Sequence, residues 1–188
     1  LEREMPGYEV TGKLEKMGWH SSDTGELAFT DVEVPAENLL GEENEGFKLI
    51  MANFQWERLT MALGAVGGMQ RVFEETLRYA KERQAFGRPI GRFQAIRHKF
   101  AEMSVKIEVS RALTYACLRK FAAGEDATRE VTPAKLYTQR SLCEVADEAI
   151  QIHGGYGYMR EYGVERAYRD ARLGPIGGGT DEVMKEIL

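Results

Sequence analysis

From Glu45 to the end of the chain, apolar residues recur with the 3.6-residue period of an α-helix. This period predicts five helices, over about 45–83, 93–123, 132–153 and 164–172, with the last beginning at Thr180. Long helices joined by short links are typical of an antiparallel helical bundle. The sequence therefore predicts a mainly α-helical fold.

The first part of the chain has a different pattern, because apolar and polar residues alternate over 8–12 and 26–34. Two strands make a poor sheet on their own, so we expect these residues to be the end of a larger β-domain. The chain begins with Leu1 rather than methionine, which also favours a piece of a longer polypeptide. We place the domain boundary after residue 38, with 39–188 forming the helical bundle.

Composition narrows the possible functions. Hydrophobic residues make up 43% of the 188 residues, which is enough for a sizeable core. A net charge of −5 argues against a nucleic-acid-binding protein. No apolar run is long enough for a membrane span, and the histidines and cysteines show no metal-ligand spacing, so we expect no metal.

Glu57 is the unusual residue of the first helix. At helical spacing it shares one side with Ile50, Phe54, Met61 and Gly64, all of which are apolar. If that side is buried, the carboxylate loses water and its pKa rises, which is how proteins prepare a general base. The alternative is a glutamate that pairs with a Lys or Arg from another helix, or one at the edge of the stripe that reaches water.

The link after the first helix is strongly basic. Between residues 83 and 99 there is no acidic residue, but there are five cations: Arg83, Arg88, Arg92, Arg97 and Lys99. Such a group around a glycine turn suggests a phosphate-bearing partner, and Phe86 could lie against a planar ring. The alternative is a solvated loop whose arginines pair with acids elsewhere.

Two glycine-rich stretches permit close approach of a ligand or of another backbone. The first is 151–158, with glycines at 154, 155 and 157, which is also compatible with a helix end and a turn. The second is 174–182, where glycines precede Thr180 as the N-cap of a helix. Because Asp181 and Glu182 follow in the first turn, we expect this loop to approach a neutral part of a ligand.

In order along the chain, these stretches resemble the acyl-CoA dehydrogenase family. The resemblance covers essentially the whole chain. It rests on MGWHSSDTGELAFTDVEVPAENLLG, ERLTMALGAVGG, RQAFGRPIGRFQAI, QIHGGYGYM, ERAYRDAR and GGGTDEVMKEI. It implies an FAD enzyme that oxidises an acyl-CoA thioester to the trans-2-enoyl-CoA, with a carboxylate taking the α-proton and the flavin taking the β-hydrogen as hydride.

The resemblance also assigns catalytic positions. Most members carry the base in the last loop, in a Tyr-Glu-Gly-Thr pattern, but here that position is Gly178. Long-chain and isovaleryl-CoA members carry it instead on the long helix before an Arg-Leu pair, and that residue is Glu57. The family's backbone N–H at the Gly178 position donates a hydrogen bond to the thioester carbonyl.

Further roles follow from the same resemblance. The FAD contacts implied are Arg83, Phe86, Gln94, Gln151, Gly155, Thr180 and Glu182. Phe54 and Arg58 match positions that line the channel for CoA. The resemblance implies a homotetramer with FAD between subunits, and an electron-transferring flavoprotein as partner. It places the enzyme in the bacterial cytoplasm or the mitochondrial matrix.

Two other functions remain open at this point. One is an acyl-CoA oxidase or a related flavin oxidase, which differs in whether oxygen reaches the reduced flavin. The other is a helical module that only oligomerises and binds no FAD.

Overall fold

The computed structural model describes all residues from Leu1 to Leu188, and they form two compact units, Leu1–Asn53 and Phe54–Leu188. The division falls within the first long helix. The predicted domain boundary after residue 38 stays a prediction.

In the first unit, strand β1 (Tyr8–Lys13) pairs antiparallel with β2 (Gly25–Phe29). The register places Tyr8 opposite Phe29, and their ring centroids are 5.6 Å apart. The second strand was predicted to continue to residue 34 but ends at Phe29. Asp31 has a φ of +49°, a left-handed conformation that interrupts an extended strand.

Helix α1 spans Gly46–Glu82 and is followed by a short hairpin of β3 (Gln84–Ala85) and β4 (Arg88–Pro89). The hairpin turn is Phe86-Gly87, with φ values of +53° and +79°. Positive φ at both central residues is typical of the tight turns that join antiparallel strands. The hairpin reverses the chain between α1 and α2 (Gln94–Ala122).

The remaining helices are α3 (Thr128–His153), α4 (Val164–Ala171) and α5 (Asp181–Ile187). The predicted helices are confirmed, except that α3 begins four residues earlier than expected. Pro133 is therefore the sixth residue of α3 rather than part of its first turn. It removes only one intrahelical hydrogen bond near the helix start, because it lacks an N–H.

The core of the second unit lies between α1, α2, α3 and α4. Its buried apolar residues include Met69, Val72, Phe100, Met103, Ile107, Val145, Ala149, Ile152 and Val164. A smaller cluster of Leu59, Cys117, Ala127 and Val131 packs the other end of the helices. The predicted mainly α-helical fold is confirmed. No helix is both long and apolar enough to cross a membrane.

Candidate functional site

Glu57 lies half-buried on α1, at the edge of the bundle. The apolar side that it shares is largely uncovered, since Ile50 is 53% exposed and Gly64 is exposed. The helix turns a different side to the core, which includes Arg58 and Ala62 and lies about 100° further round. The desolvation expected for Glu57 is therefore not supplied by this chain alone.

Arg58, next to Glu57, points into the protein and is 4% exposed. Its Nε donates a hydrogen bond of 2.9 Å to the carbonyl oxygen of Gly178, and its guanidinium carbon lies 5.4 Å from the centre of the Phe54 ring. Burial lowers the pKa of Arg58, and the nearby charge of Glu57 opposes that shift. One turn of α1 is thereby joined to the last glycine-rich loop.

That loop, residues 174–180, has a left-handed backbone at two consecutive glycines. Gly178 has a φ of +64° and Gly179 a φ of +103°. A Cβ atom at Gly178 would lie 2.7 Å from Sδ of Met61, and a Cβ at Gly179 would lie 2.6 Å from Cε of Met184. Because Met61 is one turn after Glu57 on α1, the structure brings the two predicted catalytic positions to one corner of the bundle.

Lys135 is a residue of this corner that the sequence analysis missed. Its side chain is fully buried on α3, and Nζ donates a hydrogen bond of 2.5 Å to the carbonyl oxygen of Gly179. Burial lowers the pKa of Lys135, while the charge of Asp181 acts in the opposite direction. The sequence could have indicated this residue, since a lysine at 135 interrupts the buried stripe of Val131, Ala134 and Thr138.

The end of the loop is fixed by Asp181. Its backbone N–H bonds the carbonyl of Pro175 at 3.0 Å, and its Oδ2 accepts a hydrogen bond of 2.6 Å from Nε of Arg140. This bond raises the pKa of Arg140. Thr180 caps α5, as predicted, by accepting a hydrogen bond from the N–H of Val183 at 3.3 Å.

The basic link is exposed, and its cations have different surroundings. Phe86 is 95% exposed at the hairpin tip, whereas the guanidinium of Arg88 lies 4.2 Å from the centre of the Phe93 ring. Lys99 pairs with Glu148 on α3, so one cation of the link does pair with an acid elsewhere.

A cavity of about 590 Å³ lies where the end of α1 meets the end of α3. Its lining includes Tyr79, Arg83, Ile90, Gly155 and Tyr156. Arg83 stacks on Tyr156 at 5.3 Å, and a Cβ at Gly155 would meet nothing within 4 Å. The structure thus brings Arg83 and Gly155, two of the predicted FAD contacts, to one surface.

Two of the rings that line this cavity, Tyr79 and His153, belong to a larger group of aromatic side chains. The Tyr79 and His153 rings stack with centroids 4.2 Å apart, and Tyr162 meets both rings edge-on. Nδ1 of His153 is 2.7 Å from the carbonyl oxygen of Ala149. Burial lowers the pKa of His153, and the hydrogen bond to Ala149 opposes the shift.

The predicted site residues therefore fall on two separate surfaces. Around the glycine loop are Phe54, Glu57, Arg58, Gly178, Thr180 and the exposed Glu182. Around the cavity are Arg83 and Gly155, while Phe86, Gln94 and Gln151 are exposed outside its lining. On α3, Lys135 lies at the first surface and His153 at the second. They are eighteen residues apart, which corresponds to roughly 27 Å along a helix.

Residues 44–188 match the family described as acyl-CoA dehydrogenase, C-terminal domain. The chain belongs to the acyl-CoA dehydrogenase family. Among curated acyl-CoA dehydrogenases, a long-chain specific mitochondrial enzyme of Mus musculus is 43% identical over 188 residues. That match covers 100% of this chain and 44% of the mouse protein.

Solved acyl-CoA dehydrogenase structures show the same fold. A crystal structure of a probable acyl-CoA dehydrogenase from Mycobacterium abscessus has a TM-score of 0.97 at 48% identity, covering 100% of this chain and 50% of that one. Butyryl-CoA dehydrogenase from Megasphaera elsdenii has a TM-score of 0.95 at 41% identity, covering 100% of this chain and 49% of that one. The chain spans about half the length of the relatives it matches.

Proposed function

We propose that this chain is the C-terminal part of an FAD-dependent acyl-CoA dehydrogenase, which oxidises an acyl-CoA thioester to the trans-2-enoyl-CoA. The observation that carries the proposal is the corner where α1 meets the glycine loop. There Arg58 bonds the Gly178 carbonyl and Met61 fills the space beside Gly178, one residue and one turn away from Glu57. A carboxylate and a set of backbone donors thereby share one site.

Glu57 is the general base, which takes the α-proton of the substrate. The N–H of Gly178 donates a hydrogen bond to the thioester carbonyl as negative charge develops on its oxygen. A donor aimed at such a developing charge is worth about 3 kcal/mol or more. When bound, FAD accepts the β-hydrogen as hydride.

The placement of the base on the helix is the long-chain and isovaleryl type. A side chain at position 178 would meet Met61 and would hold an unfavourable positive φ, so the loop is suited to glycine rather than to a second carboxylate. Excluding a second carboxylate also avoids the repulsion that raises the pKa of one member of a close pair. The assignments of Phe54 and Arg58 to the CoA channel stay predictions.

The surface around Arg83 and Gly155 fits a dinucleotide. It combines a cation, an accessible aromatic ring and a backbone that a ligand can approach without a Cβ in the way. Because this surface and the glycine loop lie at opposite ends of α3, we assign the basic link to the FAD of a neighbouring subunit. Phe86, Gln94 and Gln151 complete that contact, and Thr180 and Glu182 contact the chain's own FAD beside the loop.

The assembly proposed is a homotetramer, with an electron-transferring flavoprotein as the electron acceptor. Support for self-association comes from an apolar row on α2 that the chain leaves uncovered. Val105, Val109 and Leu113 repeat every four residues and are 58%, 39% and 37% exposed. Residues at this spacing form one face of a helix.

The test is the substitution Glu57→Gln in the full-length enzyme. We expect the flavin to stay bound and its reduction by acyl-CoA to slow by about 10²–10⁴-fold, because a general base contributes about that much. Rapid-mixing absorbance of the flavin measures the reduction rate. Glu74→Gln, on an exposed part of α1, is the matched control and should reduce at the normal rate. Normal flavin reduction in Glu57→Gln would reject the proposed base.

A further inference from the structure

Two consecutive carbonyls of the glycine loop are held by cations from two different helices. Arg58 of α1 bonds the Gly178 carbonyl at 2.9 Å, and Lys135 of α3 bonds the Gly179 carbonyl at 2.5 Å. In a planar trans peptide the N–H points opposite to the C=O. The N–H groups of Gly179 and Thr180 are therefore turned away from the two cations.

The donors of this segment have no acceptor within the chain. The amides of Gly178, Gly179 and Thr180 make no backbone hydrogen bond, whereas the next amide, that of Asp181, bonds Pro175 at 3.0 Å. The loop is thus closed at its end but presents a run of unused donors before that closure. Such a run suits an oxygen that gains negative charge.

We propose that Lys135 is a positioning residue of the glycine loop, whose bond to the Gly179 carbonyl fixes the peptide that carries the Thr180 N–H and thereby holds the backbone that presents the Gly178 N–H to the substrate carbonyl. The inference rests on the proposed function of the loop. Lys135 does not touch the substrate, because its side chain is fully buried beneath the loop. It acts only through the backbone of Gly179.

A packing role does not account for a lysine at this position. Burying an ammonium group costs free energy, and an apolar side chain of similar size fills such a site without that cost. The neighbours of Lys135 on α3 serve the same corner, since Gln139 donates to the Met61 carbonyl at 2.8 Å and Arg140 holds Asp181. Three neighbouring residues of α3 therefore tie the helix that carries Glu57 to the C-terminal end of the loop.

The experiment compares Lys135→Met and Lys120→Met in the full-length, FAD-loaded enzyme. Lys120 is a control, because its ammonium pairs with Glu130 at 2.7 Å and makes no hydrogen bond to the loop. Hydrogen exchange of the Asp181 amide, measured without substrate, reports whether the loop opens. We expect exchange at least tenfold faster in Lys135→Met and unchanged in Lys120→Met.

Steady-state kinetics give the second readout. In Lys135→Met we expect kcat to fall by about 100-fold with a smaller change in KM, since misplaced donors act mainly on the transition state. Lys135→Gln, whose side chain is one bond shorter than lysine, should show the same direction of change and serves if the methionine variant does not fold. Normal Asp181 exchange with normal kcat overturns the proposal. If the unmodified enzyme does not oxidise acyl-CoA at all, the proposed function is rejected. The exchange rate of the Asp181 amide then still shows whether Lys135 holds the loop.

Discussion

The glycine loop and the Arg83–Gly155 cavity are both built from glycines next to cations, yet they use them in opposite ways. At the loop the cations Arg58 and Lys135 are buried and bond the backbone of the protein itself. At the cavity Arg83 is exposed and stacks on a tyrosine. The first arrangement fixes a backbone for chemistry, whereas the second leaves charge available for a ligand.

The largest expected difference between the regions concerns their glycines. Gly179→Ala should destabilise the protein by roughly 1–3 kcal/mol, because the residue holds a positive φ and its new Cβ meets Met184. Gly155→Ala meets nothing within 4 Å, so its free energy of unfolding should change by no more than about 0.5 kcal/mol. Denaturant unfolding of both variants measures this, with flavin content as a second readout that should fall in Gly155→Ala. Equal destabilisation by the two substitutions would show that the loop and the cavity do not differ in how strongly they favour glycine.

A smaller effect is expected from the charge at the cavity. Arg83→Gln should weaken FAD binding by about 10–100-fold, the effect of losing a hydrogen bond to a charged group, while leaving stability nearly unchanged. The dissociation constant for FAD can be measured by fluorescence titration of the apoenzyme. Arg71→Gln, which removes an exposed arginine from the same helix, is the control. If Arg83→Gln binds FAD as tightly as the unmodified enzyme, the cavity is not a dinucleotide surface.

The smallest expected effect is on the pH dependence of the free energy of unfolding, to which His153 at the cavity contributes. Burial lowers the pKa of His153, so the unfolded chain binds a proton more readily than the folded one below the ordinary histidine pKa. Stability should therefore decline as pH falls below about 6.5, with a slope of at most about 1.4 kcal/mol per pH unit for one proton. His153→Gln should flatten this dependence in denaturant unfolding at pH 5–7. Gly179→Ala, which changes no titratable group at the loop, should keep the wild-type slope.

The sequence predicted the helices well because their periodicity extends over many residues. It predicted the pairing of Arg83 with Gly155 only through resemblance, since 72 positions separate them along the chain. Burial of the Glu57 face was one of two possibilities that the sequence left open, and the structure leaves that face largely uncovered. One apolar side of a helix does not reveal which side its neighbours cover, and the core of α1 uses the side of Arg58 and Ala62 instead.

The bracing of the loop could not be derived from local pattern. A buried lysine that bonds a backbone carbonyl 44 residues away depends on how α3 meets the loop, which is a tertiary property. The interruption of a buried stripe at Lys135 was nevertheless visible in the sequence. A polar residue inside a buried stripe needs a hydrogen-bond partner, and the fold shows which group supplies it.

The position of Met61 limits how this protein can change over generations. A carboxylate side chain at residue 178 would push the Met61 thioether aside, because its sulfur lies 2.7 Å from where the new Cβ would be. The new residue would also have to adopt a left-handed backbone, which favours glycine. A base at residue 178 would therefore share its space with Met61 and hold a left-handed backbone, neither of which a base at residue 57 on the helix has to do.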